Sequence, residues 1–227
     1  MINNNYSSII YDYVDQATLT LKDSLDMILV IGSSCSDKVI KNWSDIDVVL
    51  VLETINSEII DKVKNISNSY DIKIGTTVYS RYEFNLKKID PKTYYHLFLA
   101  QNNMIEIQYI KDNFNPPIIS WEELKSVFDL YLNERAHVFK RYFLYDGLTK
   151  QQIREFYKSM YILMKTKLVI DGYFPKNYEE VFRLFAEKYN FDLFDYQKFI
   201  DNYKNDIGDY REQLMSSSKK LLKKMYN

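Results

Sequence analysis

The chain has 227 residues, 46% of them hydrophobic, which is enough apolar mass for one large domain or two small ones. Its 30 Lys and Arg against 31 Asp and Glu leave a formal net charge of -1, which excludes a global electrostatic pull toward nucleic acid or a membrane surface. Cys35 is the only cysteine, so no intrachain disulfide forms, as suits a reducing compartment. The opening MINNNYSS has neither a basic nor an apolar stretch, so no signal peptide is expected. No apolar run approaches the roughly 20 residues that span a bilayer. The expectation is a cytoplasmic protein.

Taken in chain order, residues 7–22 place Ile9, Ile10, Tyr13, Val14, Ala17 and Leu21 on one helical face. The run MILVIG (27–32) ends in glycine and reads as a buried strand. SDIDVVLVLE (44–53) reads as a second strand, on which Asp45, Asp47, Val49 and Val51 share one face because side chains alternate. Ser57 is expected to cap a helix with Ile59, Ile60, Val63 and Ile66 on its buried side. A third strand is expected within 70–80 and a fourth at 104–110.

Pro116-Pro117 divides the pattern, with 1–117 read as one domain and 118–227 as another. Beyond it nearly everything has helical period. Ser120 with Glu123, Thr149 with Gln152 and Asn177 with Glu180 have capping-box spacing. The helix from Thr149 carries Ile153, Phe156, Tyr157, Met160, Tyr161, Met164 and Leu168 at core spacing and should stop at Asp171-Gly172. Further helices are expected at about 178–189, 196–207 and 209–225. The fold class is therefore α+β: a small mixed-sheet domain followed by an all-α bundle of four or five helices.

The chemistry is concentrated in residues 28–51. An apolar strand runs into Gly32-Ser33, eleven residues intervene, and Asp45-Ile46-Asp47 opens the next apolar strand. Two carboxylates one residue apart on a strand point the same way and can grip one or two Mg²⁺ ions, each of which takes one or two carboxylates together with phosphate oxygens. Glycine after a strand lets the backbone approach a phosphate. Ser33 offers a hydroxyl and an N–H, and a helix opening there would add free donors, with Lys38 and Lys41 nearby. Taken alone, the two carboxylates repel, so removing one should leave folding at least unharmed.

This segment resembles the nucleotidyltransferase superfamily, which includes the DNA polymerase beta-like and aminoglycoside nucleotidyltransferase-like enzymes. Ile31-Gly32-Ser33, the gap 34–44 and Asp45-Ile46-Asp47-Val48 match its pattern, and the resemblance covers roughly residues 25–112. A second glycine often found after the Gly-Ser pair is replaced by Ser36-Asp37-Lys38. The resemblance implies Mg²⁺ or Mn²⁺ on Asp45 and Asp47, an NTP (ATP foremost) as substrate, and nucleotide contacts from Gly32, Ser33 and Ser44. It also implies a third catalytic carboxylate on the next central strand. Asp71, in Tyr70-Asp71-Ile72, has the local pattern, whereas counting back from VYSRYEF puts the position nearer Gly75, about 13 Å further along the same face. Glu106, in Ile105-Glu106-Ile107, is the other candidate.

Residues 149–189, with Gly172, Pro175, Glu179 and Phe182, resemble the HEPN-like helical domains that accompany such enzymes. Ribonuclease members of that group carry an Arg four to six residues before a His. Here Arg135 lies only two before His137, so ribonuclease activity is not expected. His96 and His137 have no metal-ligand partner at i+3 or i+4, and Cys35 has no base partner. Glu134 is the candidate for a base supplied by the helical half. The resemblance implies transfer of AMP to a hydroxyl of a small molecule such as an aminoglycoside. A protein hydroxyl, as in antitoxin-type enzymes, and a degenerate nucleotide-binding module are the alternatives. The expected partners are a nucleotide and the acceptor, with a homodimer left open.

Overall fold

The computed structural model describes residues 6–32, 45–142, 149–191 and 208–225. The chain forms two compact units, Met1–Leu124 and Lys125–Asn227. The expected helix at 196–207 lies outside the described residues. Among the described residues, no helix is long and apolar enough to cross a membrane.

The first unit opens with α1 (Ser7–Leu21), followed by β1 (Leu25–Ile31), β2 (Ile46–Leu52), α2 (Ser57–Ser67) and β3 (Ile74–Ser80). Two short helices come next, α3 (Arg81–Asn85) and α4 (Pro91–Gln101), then β4 (Tyr109–Ile110). The sheet order is β3-β2-β1-β4. β1 is antiparallel to both β2 and β4, and β2 runs parallel to β3, with α2 as the crossover that a parallel pair requires.

The two central strands are apolar almost throughout because helices cover both sheet faces. On one face Ile28, Val30, Ile46, Val48, Leu50 and Leu52 pack with Ile10, Tyr13 and Ala17 of α1 and Ile59, Val63 and Ile66 of α2. Met27, Leu29, Ile31, Val49 and Val51 are equally buried on the other face, which α3 and α4 cover. Phe84 of α3 bridges Tyr79 of β3 and Phe114, with ring centroids 6.2 and 6.1 Å apart. A bulge between Leu25 and Met27 carries the buried Asp26, whose carboxylate receives both arms of the Arg81 guanidinium at 2.7 and 2.6 Å.

Three local expectations change. Asn56, not Ser57, caps α2: its Oδ1 accepts from Ile59 N–H at 2.9 Å, and Ser57 becomes the first helical residue. Ile60 is 40% exposed rather than buried, because the α2 face is centred on Ile59, Val63 and Ile66. The fourth strand shrinks from 104–110 to Tyr109–Ile110, since an edge strand needs only the short pairing with Met27 and Ile28.

The second unit contains most of α5 (Trp121–Arg141), then α6 (Lys150–Ile170), α7 (Tyr178–Tyr189) and α8 (Gly208–Met225). Its core is built on α6. Phe156 meets Phe139 of α5 at 4.8 Å, Tyr157 meets Phe182 of α7 at 6.1 Å, and Met160 takes the Ser218 hydroxyl of α8 at 3.6 Å. The Thr149–Gln152 and Ser120–Glu123 capping boxes form. Asn177 caps Glu180 N–H, while the Glu180 carboxylate turns to Lys176 N–H instead. Past Asp171, Gly172 at φ +86° donates to Val169 and Tyr173 N–H donates to Leu168, a Schellman ending.

Candidate active site

Asp45 lies immediately before β2 and Asp47 is the second residue of that strand, so alternation turns both toward the face that α3 and α4 cover. Val49 and Val51 continue that face into the core. The two carboxylates stand at its open end, with side chains 39% and 35% exposed.

The sheet register frames Asp47. It lies opposite Ile31 of β1 and opposite Gly75 of β3. Gly32, next after Ile31, has φ +77°, a conformation that glycine adopts without strain. A Cβ on Gly32 would stand 2.9 Å from Asp47 Oδ2, and one on Gly75 would stand 3.1 Å from Asp47 Oδ1. The carboxylate therefore occupies a slot between two glycines.

Two ammonium groups meet the two acids. Lys92 Nζ donates to Asp47 Oδ2 at 2.7 Å, and Lys73 Nζ donates to Asp45 Oδ2 at 3.1 Å. Lys73 precedes β3 and is the register neighbour of Asp45, since Ile46 pairs with Ile74. Lys92 sits in the first turn of α4, and that turn is fastened from several sides. Asp90 caps it, accepting from the N–H groups of Lys92 and Thr93. The Tyr79 hydroxyl of β3 donates to the same carboxylate at 2.5 Å. Burial alone would raise the Asp90 carboxyl, but the hydroxyls of Thr93 and Tyr79 and the two amides hold it below its ordinary value. Burial first, and then the hydrogen bond that the Tyr79 hydroxyl donates to the Asp90 carboxylate, pushes the Tyr79 phenol up to about 12.

His96, one turn further along α4, is buried and joins the helix to the glycine turn. Gly32 N–H donates to His96 Nε2 at 2.9 Å, and His96 Nδ1 faces the Lys92 carbonyl at 2.7 Å. A carbonyl only accepts and an amide only donates, so the ring is neutral, with its proton on Nδ1. The Gly32 amide is thus committed to His96.

Of the residues singled out from sequence, Asp45, Asp47 and Gly32 come together here. Ser33 and Ser44 lie outside the described residues, as do Cys35, Lys38 and Lys41. Asp71 is exposed, in the bend before β3, and the residue the register sets beside Asp47 is Gly75. Glu106 is exposed in the irregular segment before β4, and Glu134 is exposed on α5 in the second unit. Among the described residues, no three His, Cys, Asp or Glu side chains gather as a metal set. Two carboxylates on one face suit a single divalent ion that arrives with phosphate oxygens.

Lys92, Lys73 and His96 were not among the predicted site residues. For α4 a local signal existed: Asp90 followed by Pro91 is an N-cap followed by the first-turn residue best suited to it. Nothing local aims Lys92 or His96 at a strand some 45 to 64 residues away.

No family model matches the chain, and no curated protein matches it in sequence. Among solved structures it is similar to the spectinomycin adenyltransferase AAD(9) from Enterococcus faecialis, in a crystal structure with ATP and spectinomycin. The TM-score is 0.63 at 15% identity, covering 96% of this chain and 99% of that one. The fold is that of a nucleotidyltransferase. At that identity the likeness concerns the fold, and one fold hosts many chemistries, so function is argued from the side chains.

Proposed function

We propose that the chain is a divalent-metal-dependent nucleotidyltransferase that moves AMP from ATP to a hydroxyl of a small molecule such as an aminoglycoside. The observation that carries this reading is the pair Asp45 and Asp47, side by side on one strand face and packed against the Gly32 turn, in a nucleotidyltransferase fold. The similar protein is named for adenyl transfer to spectinomycin, which supports ATP and a small-molecule acceptor. The excess of acidic over basic side chains in residues 1–118 (15 against 11) favours a cationic acceptor.

In this reading Asp45 and Asp47 would hold one Mg²⁺ or Mn²⁺, which when bound supplies positive charge to the α-phosphate. The positive φ of Gly32 lets the backbone turn at the end of β1, and Ser33 next to it would offer its hydroxyl and N–H to the leaving phosphates, with Ser44 beside Asp45. The acceptor oxygen bonds to the α-phosphorus as the bond to the bridging oxygen breaks and pyrophosphate leaves. The hydroxyl proton passes to water; the register neighbour of Asp47 on β3 is Gly75, which offers no carboxylate.

The test is incubation with each labelled NTP and Mg²⁺, with and without aminoglycoside acceptors. ATP should also raise the melting temperature far more with Mg²⁺ than with EDTA, because linkage gives ~2.7 kcal/mol at a hundredfold excess over Kd. Equal shifts in both conditions would remove the metal from the reading. Label found on a protein would move the acceptor to the protein class.

A further inference from the structure

Three features of the site combine. The register places Gly75, which has no side chain, opposite Asp47. The Lys92 ammonium already stands on Asp47 Oδ2 at 2.7 Å. The Lys92 backbone lies in the first turn of α4, its N–H donating to Asp90 and its carbonyl accepting from His96, which sets the root of the side chain within reach of Asp47.

We propose that Lys92 is the second cation of this centre: an ammonium that balances Asp47 before substrate arrives and contacts the triphosphate once nucleotide is bound. The proposal rests on the nucleotidyltransferase reading. The proposal assigns the centre one divalent ion, taken together with the nucleotide. With Lys92 on Asp47 and Lys73 on Asp45, the carboxylate pair is nearly charge-balanced, so a bare divalent ion gains little by binding. A metal–triphosphate complex brings its own oxygen ligands and gives the displaced ammonium a phosphate partner. The Lys92 side chain is 42% exposed, which leaves it room to move from carboxylate to phosphate.

The experiment uses the full chain as wild type, Lys92→Gln, Lys92→Ala and Lys92→Arg, each checked for folding by its melting curve. Mn²⁺ binding is measured by electron paramagnetic resonance without nucleotide and with a non-hydrolysable ATP analogue. ATP affinity is measured by calorimetry in Mg²⁺. The neutral variants should bind bare Mn²⁺ about tenfold more tightly and Mg²⁺–ATP about tenfold more weakly, movements of opposite sign that a purely structural ion pair would not produce. Lys92→Arg should keep both wild-type values, and wild type with the analogue should take one Mn²⁺ per chain. Two Mn²⁺ per chain, or failure of either affinity to move, overturns the proposal while leaving the nucleotidyltransferase reading intact. Failure of both neutral variants to fold makes Lys92 structural and also overturns it. Wild type that binds no NTP overturns the reading and the proposal with it.

Discussion

Asp47 is confined more tightly than its partial exposure suggests, because backbone rather than side chain closes both sides of its carboxylate. At Gly32 a methyl group would meet two obstacles, the φ of +77° and an oxygen at 2.9 Å. Gly32→Ala should therefore cost about 1–3 kcal/mol, measured by urea unfolding, and should weaken Mg²⁺–ATP binding as the Asp47 carboxylate is displaced. At Gly75 the backbone φ is ordinary and the contact is 3.1 Å, so Gly75→Ala should be milder than Gly32→Ala in the same assay. Asp47→Asn separates chemistry from stability. Considered alone, the two carboxylates repel, and losing one should help folding. The Lys92 pair changes that balance, but a half-exposed ion pair contributes only ~0–1 kcal/mol. Asp47→Asn should therefore melt within a few degrees of wild type while transfer from labelled ATP disappears. A large loss of stability would make the pair structural.

Among the elements, α4 does most to assemble the site, and its first turn is where pH should act. Asp90 titrates below its ordinary value in the folded chain. As pH falls, the unfolded chain takes up that proton first, so the Asp90 contribution is complete above the ordinary carboxylate range and is lost as pH drops through the lowered folded value. Asp90→Asn should flatten the acid limb of a melting-temperature profile, and Asp90→Ala should in addition cost about 1 kcal/mol for the lost cap. The Tyr79 phenol works in the opposite direction. Its contribution is present below its unfolded value and is lost as pH rises toward about 12, so Tyr79→Phe should remove an alkaline limb. His96→Phe would leave the Gly32 amide without its acceptor, at a cost of ~1–3 kcal/mol. The β1 bulge is held in a comparable way by Asp26, fully buried under the Arg81 fork. Breaking a buried pair costs about 3 kcal/mol or more, and because Arg81 is 37% exposed the lower end applies to Asp26→Ala.

At the scale of the whole molecule, the acidic excess of residues 1–118 has a measurable consequence if the acceptor is cationic. The acceptor KM should rise between low and physiological salt, whereas a neutral acceptor should show no such dependence. Legibility at this scale followed the range of the interactions. The alternation of Asp45, Asp47, Val49 and Val51, the capping boxes at Ser120 and Thr149, and the glycine stop at Gly172 are contained within a few residues, so the order of residues alone determined them. The same holds for the α+β class, which rests on a change of period along the chain. The neighbour of Asp47 was half legible: counting along the third strand pointed near Gly75, but only the parallel register of β2 and β3 set that glycine directly beside Asp47. Lys92 and His96 were decided by tertiary structure alone. Their helix could be read from Asp90-Pro91, but what they touch depends on how α4 lies across the sheet. That placement is set by the packing of α4 on β1 together with the Tyr79–Asp90 bond, and no local pattern encodes it.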